Sequence, residues 1–158
     1  MIMRTDLCRC GECRTLDRQH PSEGVQLSLM PTVAPVAAPV PVTPSATEIT
    51  ALLRRTRMRV SSEAVLQASI EDALTAAAVP YLREHRLSPA DRIDFLCGRV
   101  GIEAKARYNK RAIYRQLERY AAQNAIDALI LVTGTAMGLP AEIGGKPVYI
   151  VSTGRASL

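Results

Sequence analysis

Tryptophan is absent from this sequence, and phenylalanine occurs once beside five tyrosines. Any interior must therefore be packed from aliphatic side chains and alanine, and an apolar content of 47% supplies enough of them for one core. Long hydrophobic runs are lacking too. The most apolar early stretch, Val33 to Val42, is broken by Pro35, Pro39 and Pro41, which a membrane-spanning helix does not accommodate easily. The N-terminus has no apolar run of about 7–15 residues behind its basic residues, so no secretory leader is expected. Together these absences point away from a membrane and towards a cytoplasmic, reducing setting. Histidine is scarce, with only His20 and His85. His85 lies among arginines and reads as a surface strand residue, so chemistry carried by a catalytic histidine is not expected. Acidic residues number 15 against 20 basic ones, for a formal charge of +5. Most of the basic side chains are arginine, whose planar fork suits phosphate. That balance fits a nucleic-acid partner without requiring one.

At 158 residues the chain allows one ordinary domain and a tail. Residues 1–30 form a polar tail, expected to be disordered. It contains Cys8, Cys10, Cys13 and His20, a set whose chemistry fits a Cys₃His zinc site. The spacing is cramped for zinc, and free thiols on a tail are the plainer reading. Residues 31–46 are a proline-, alanine- and valine-rich linker, expected to be extended and semi-rigid. Residues 47–60 read as a short helix or arm carrying Arg54, Arg55, Arg57 and Arg59. Those arginines suit phosphate contacts, or equally a solvated helix end favoured by the dipole.

From residue 61 to 158 the patterns tighten. Leu66, Ile70 and Leu74 recur every four residues and predict a helix over 61–78, capped by Ser61 or Ser62. Glu63 falls in its first turn, four residues before Gln67. A strand is expected at 79–87, then a hairpin. Arg92 to Cys97 alternates, Gly98-Arg99 makes a two-residue turn of type II′, and Val100 to Ala106 returns. Counting back from that turn sets Asp94 opposite Glu103, with Lys105 on the same face as Glu103. Two carboxylates roughly 5 Å apart would repel unless a cation intervened. A hard divalent ion with oxygen ligands is the natural candidate, and an ion-paired sheet face with Arg92 and Lys105 is the alternative. A second helix over 109–124 places Ile113, Leu117 and Tyr120 on its apolar stripe, and Arg111, Arg115 and Arg119 on an exposed basic one. Ala128 to Thr133 is a buried strand, and Val148 to Thr153 is the last. Five strands are read in all, roughly an average sheet.

Asp94, followed after a gap by Glu103-Ala104-Lys105, resembles the core signature of the PD-(D/E)xK nuclease superfamily. Gln116 and Tyr120 on the next helix resemble the Gln-x-x-x-Tyr motif of its RecB-like and phage-exonuclease-like branch. The resemblance spans residues 61–158. It implies an α/β fold, a restriction-endonuclease-like core with a mixed central sheet of about five strands flanked by helices. It implies Asp94, Glu103 and Glu63 as metal-binding carboxylates, with the backbone carbonyl of Ala104 as a further oxygen and Glu71 as a weaker substitute for Glu63. Lys105 would orient the attacking water and stabilise phosphate charge. Gln116 and Tyr120 would hold the substrate backbone, with Arg111, Arg115 and Arg119 on nucleic acid. The implied activity is Mg²⁺- or Mn²⁺-dependent hydrolysis of DNA phosphodiesters, in a phage or mobile-element setting. Two other readings share these residues. One is a dimeric enzyme similar to Holliday-junction resolvases. The other is a non-catalytic nucleic-acid-binding or assembly module, tethered through its N-terminal tail to a larger nucleoprotein machine.

Overall fold

The computed structural model describes residues 43–153; the cysteines Cys8, Cys10 and Cys13, His20 and most of the proline-rich stretch lie outside them. Three helices and six strands follow in the order α1 (Ala46–Arg55), α2 (Glu63–Ala76), β1 (Leu82–Arg86), β2 (Arg92–Cys97), β3 (Val100–Lys105), α3 (Lys110–Ala121), β4 (Ala128–Thr133), β5 (Glu142–Ile143) and β6 (Lys146–Ser152). The result is an α/β domain with one mixed sheet, ordered β1-β2-β3-β4-β6-β5. β1, β2 and β3 run antiparallel, while β3, β4 and β6 are parallel neighbours.

Each helix starts where the sequence provides a side-chain acceptor for orphan amides. Ser45 opens α1 with a reciprocal capping box to Glu48. The Ser62 hydroxyl accepts from the Val65 amide, and the Asn109 side chain accepts from the Arg111 and Ala112 amides. The helices lie on both faces of the sheet. α1 and α2 pack Ile49, Leu53, Leu66, Ile70 and Leu74 against Phe95, Ile102, Ile130 and Val132. α3 packs Ile113, Leu117 and Tyr120 against Ile93, Leu129, Leu131 and Val148. Every residue of β3 and of β4 is buried. This explains the unbroken apolar run of β4, and it makes the charged end of β3 the anomaly to be accounted for. The single phenylalanine, Phe95, is fully buried and meets Tyr81 edge-on, with centroids 5.7 Å apart.

Three expectations need correction. The sheet has six strands where five were read. The sixth, β5, is two residues long and pairs Ile143 with Lys146 across Gly144-Gly145. Both glycines take positive φ, +59° and +73°, the requirement of a type I′ turn. The Gly-Gly dipeptide was the available signal, but two residues are too short to show periodicity. Second, of the two readings of the basic segment the short helix holds, as α1, and the arm does not: Ile49 and Leu53 are buried in the same core as α2, with Thr50 buried beside them. Arg54 reaches across to donate to the Ile150 carbonyl at 3.0 Å. Third, the strand expected over 79–87 is confined to Leu82–Arg86.

The hairpin turn forms as expected. Cys97 pairs with Val100, and Gly98 adopts φ +59°. A close approach explains the other glycine of this hairpin. A Cβ on Gly101 would sit 2.9 Å from Ile126 Cδ1 and 3.1 Å from Leu129 Cδ2, and would also collide with Ile93. Gly101→Ala is accordingly expected to cost about 1–3 kcal/mol through overpacking, read as a lower urea midpoint at unchanged m-value. An unchanged midpoint would show that these methyl groups have room to retreat.

Candidate active site

β2 and β3 begin as a regular ladder at the turn, through Leu96 with Gly101 and Phe95 with Ile102. The ladder ends there. On the other side of β2, Arg83 pairs with Phe95 and His85 with Ile93. Glu84 and Asp94, which lie between those pairs, drop out of the ladder, and Glu84 takes φ +48°. For a non-glycine residue this left-handed backbone is a strained conformation, of the kind that gathers at functional sites. The expected facing pair of Asp94 and Glu103 is therefore absent from the ladder. Instead the Asp94 carboxylate itself takes the strand's hydrogen bonds. Its Oδ2 accepts from the Ala104 amide at 2.8 Å, and its Oδ1 accepts from Gln67 Nε2 of α2 at 2.8 Å.

Asp94, Glu103, Lys105 and Glu63 are nevertheless brought together at the carboxyl end of β3. Lys105 Nζ lies 2.8 Å from Glu103 Oε1 and 3.1 Å from Glu63 Oε1. Glu103 is only 2% exposed. Its Oε1 also accepts from Gln116 Nε2 of α3 at 2.7 Å, while its Oε2 is buried with no partner. One face of the sheet thus contributes Glu63 and Gln67 and the other contributes Gln116, with β2 and β3 between them. Among the described residues, no three His, Cys, Asp or Glu side chains converge as a ready-made metal cage. The ammonium of Lys105 stands between Glu63 and Glu103.

The electrostatics follow from this crowding. Burial pushes the Glu103 carboxyl up to about 7, assisted by the Asp94 charge and opposed by Lys105. Burial also raises Asp94, against the lowering effects of the Ala104 amide and Lys105. Burial alone would lower Lys105, but the charges of Glu103 and Glu63 more than offset it, and the net shift is upward. Lys105 is therefore an ammonium at neutral pH and acts as a charge, not as a base.

The remaining sequence candidates divide. Gln116 is half-buried and belongs to the cluster. Tyr120 is 1% exposed, and its hydroxyl donates to the Arg92 carbonyl at 2.6 Å while accepting from Gln116 Nε2. Enclosed in this way, its hydroxyl braces the start of β2 and Gln116. Ala104 enters through its amide, as above. Glu71 is occupied by Tyr81 and Arg83, away from Lys105. Arg111, Arg115 and Arg119 line one cleft of about 450 Å³ together with Tyr108 and Gln116. Arg119 is partly committed, its Nε donating at 2.9 Å to the buried carboxylate of Asp91.

Three participants were missed. Gln67 follows Glu63 by one helical turn, so its shared face was legible, but nothing marked its partner. Asp91 begins the charged stretch, yet only the fold shows Arg119 above it. Tyr108 sits between β3 and α3 with no periodicity to flag it. No protein-family model matches this chain, and neither curated proteins nor solved structures give a significant match. No helix among the described residues is long and apolar enough to cross a membrane.

Proposed function

We propose that the protein is a divalent-metal-dependent nuclease with a restriction-endonuclease-like core, acting on DNA phosphodiesters. One observation carries this reading. A buried carboxylate oxygen, Glu103 Oε2, has no partner, and its carboxylate shares the Lys105 ammonium with Glu63, within reach of the Asp94 charge and beside a cleft lined by arginines. Leaving such an oxygen unsatisfied is costly, and a bound cation would satisfy it. Mg²⁺ is commonly held by one or two carboxylates plus waters and substrate phosphate. The lack of a three-ligand cage among the described residues is therefore compatible with it.

Asp94 and Glu103 would hold the ion, with Glu63 near it once released from Lys105. When bound, a metal of this kind acts as a Lewis acid and lowers the pKa of its water. The protein's own groups supply the rest. Lys105, fixed as an ammonium by two carboxylates, stabilises the charge that gathers on the phosphate oxygens in the transition state. Arg111 and Arg115 offer charge to neighbouring phosphates. Gln116 fixes the Glu103 carboxylate, and Tyr120 fixes Gln116 by accepting its amide. The water oxygen would form the new bond to phosphorus as the bond to the ester oxygen breaks, the water's proton passing to solvent and the departing ester oxygen taking one up from solvent. The order of antiparallel β1–β2–β3, helix α3 and parallel β4 supports the fold assignment, as do Gln116 and Tyr120 at four-residue spacing.

The test is cleavage of linear, circular and four-way-junction DNA in Mg²⁺, Mn²⁺ or EDTA. Cutting is expected with metal and not with EDTA, and Lys105→Ala is expected to slow it by about 10²- to 10³-fold. Preference for the junction, with a dimer by gel filtration, would move the assignment to a resolvase. The closed Glu63–Lys105–Glu103 ion pairing favours a second reading, a binding module without turnover. Folded protein that binds DNA but cuts none of these substrates would establish it.

A further inference from the structure

Tyr108 is one of two large hydrophobic side chains that stand exposed among the described residues, at 55%. It is not loosely placed. Its amide donates to Thr135 Oγ1 at 3.3 Å, the Thr135 amide donates to Thr133 Oγ1 at 3.0 Å, and Thr133 Oγ1 donates to the Lys105 carbonyl at 2.8 Å. The backbone under the ring is thus tied to the backbone under the lysine. The Lys105 ammonium lies 5.6 Å from the ring centroid, within cation–π range. The ring also borders the cleft that Arg111, Arg115 and Arg119 line. An aromatic face held in the open, flanked by an ammonium and a row of guanidinium groups, is the arrangement that binds a base by stacking and its backbone by charge.

We propose that Tyr108 is a stacking platform for an unpaired base, so that the strand entering this site is single. The proposal rests on the nuclease reading for the identity of the ligand and adds the class of substrate. A paired base inside a duplex has both faces covered by its neighbours and has none to offer the ring. Arg111 and Arg115 do not discriminate in this way, because phosphates are presented by single and double strands alike.

The test is binding of the full chain, in EDTA to prevent cleavage, to fluorescein-labelled dT15 and to a 15-base-pair duplex, followed by anisotropy. Base–aromatic stacking predicts that Tyr108→Ala weakens dT15 binding by about 5- to 100-fold while duplex binding changes less than about twofold. Tyr108→Phe, which keeps the ring, should stay close to wild type on both probes. Equal weakening on both probes would overturn the proposal and reduce Tyr108 to a support for Lys105. So would no weakening on either, or a Tyr108→Phe loss as large as that of Tyr108→Ala. Each of these leaves the nuclease reading standing, since that reading is judged by metal-dependent cleavage. A wild-type chain that binds neither probe would overturn the platform as well, and the cleavage assay in metal would still decide the nuclease reading by itself.

Discussion

Asp94→Asn is expected to reduce phosphodiester cleavage by three orders of magnitude or more, about 4 kcal/mol of transition-state stabilisation, while leaving the fold intact. The two carboxylate oxygens have separate partners, the Ala104 amide and the Gln67 side-chain amide. An asparagine can still accept from Ala104, and Gln67 can turn its own amide to receive the new NH₂. What disappears is the negative charge. Because burial already makes that charge unfavourable in the absence of a cation, the variant should be at least as stable as wild type in EDTA. DNA binding in EDTA should hold or tighten, since one anion facing the phosphates is gone. Cleavage measured beside anisotropy separates the outcomes. Parallel loss of cleavage, binding and stability would make Asp94 a strand-closing residue only, and full cleavage by the variant would remove it from the mechanism.

The second large effect is on stability as a function of pH. In the fold Glu103 holds its proton up to a pH of about 7, against an ordinary value of 4.5. Between those values the folded chain binds more protons than the unfolded chain, so stability falls as pH rises. Full ionisation costs on the order of 3 kcal/mol for a group shifted this far. Lys105 does not oppose the trend within this window, because a raised lysine contributes stability that is constant until the pH approaches its ordinary value of 10.5. Wild-type protein in EDTA should therefore lose stability from pH 5 to pH 8 in urea titrations. Glu103→Gln should lose much less, and should exceed wild type at pH 8. Adding Mg²⁺ at pH 8 should restore the wild type, because an ion bound only by the folded state stabilises it, and should do little for the variant. Stability that rises with pH in both proteins would contradict a strained, buried Glu103.

The hairpin and its charged positions were legible because a two-residue turn fixes register, and register fixes which side chains are neighbours. Gly98 at positive φ and Cys97 against Val100 needed no tertiary information. The same counting failed four residues further on, at Asp94. A ladder opens when side chains find better partners than their backbone neighbours, and those partners, Gln67 and Ala104, come from another helix and from across the strand. Tyr120 illustrates a related limit. Its four-residue spacing from Gln116 was readable, but a face at the edge of a helix stripe can point into the core or into a cleft. Only packing against the start of β2 decides that its hydroxyl is enclosed. Burial of Glu103 was hidden too, since a lone acid in an apolar run reads the same at an exposed sheet end as beneath two helices.

The turn at Gly98 has a use beyond register. A Cβ there would lie 2.9 Å from Thr43 Cγ2, so the start of the described chain crosses the hairpin tip. Lys105 stands at the other end of β3, roughly 17 Å away at about 3.3 Å per residue. An anchor or fluorophore placed at Thr43 or on the turn would leave the carboxylate end facing open solution. The protein could then be fixed to a sensor surface with its chemistry outward, and a signal from such a label would report on attachment rather than on turnover.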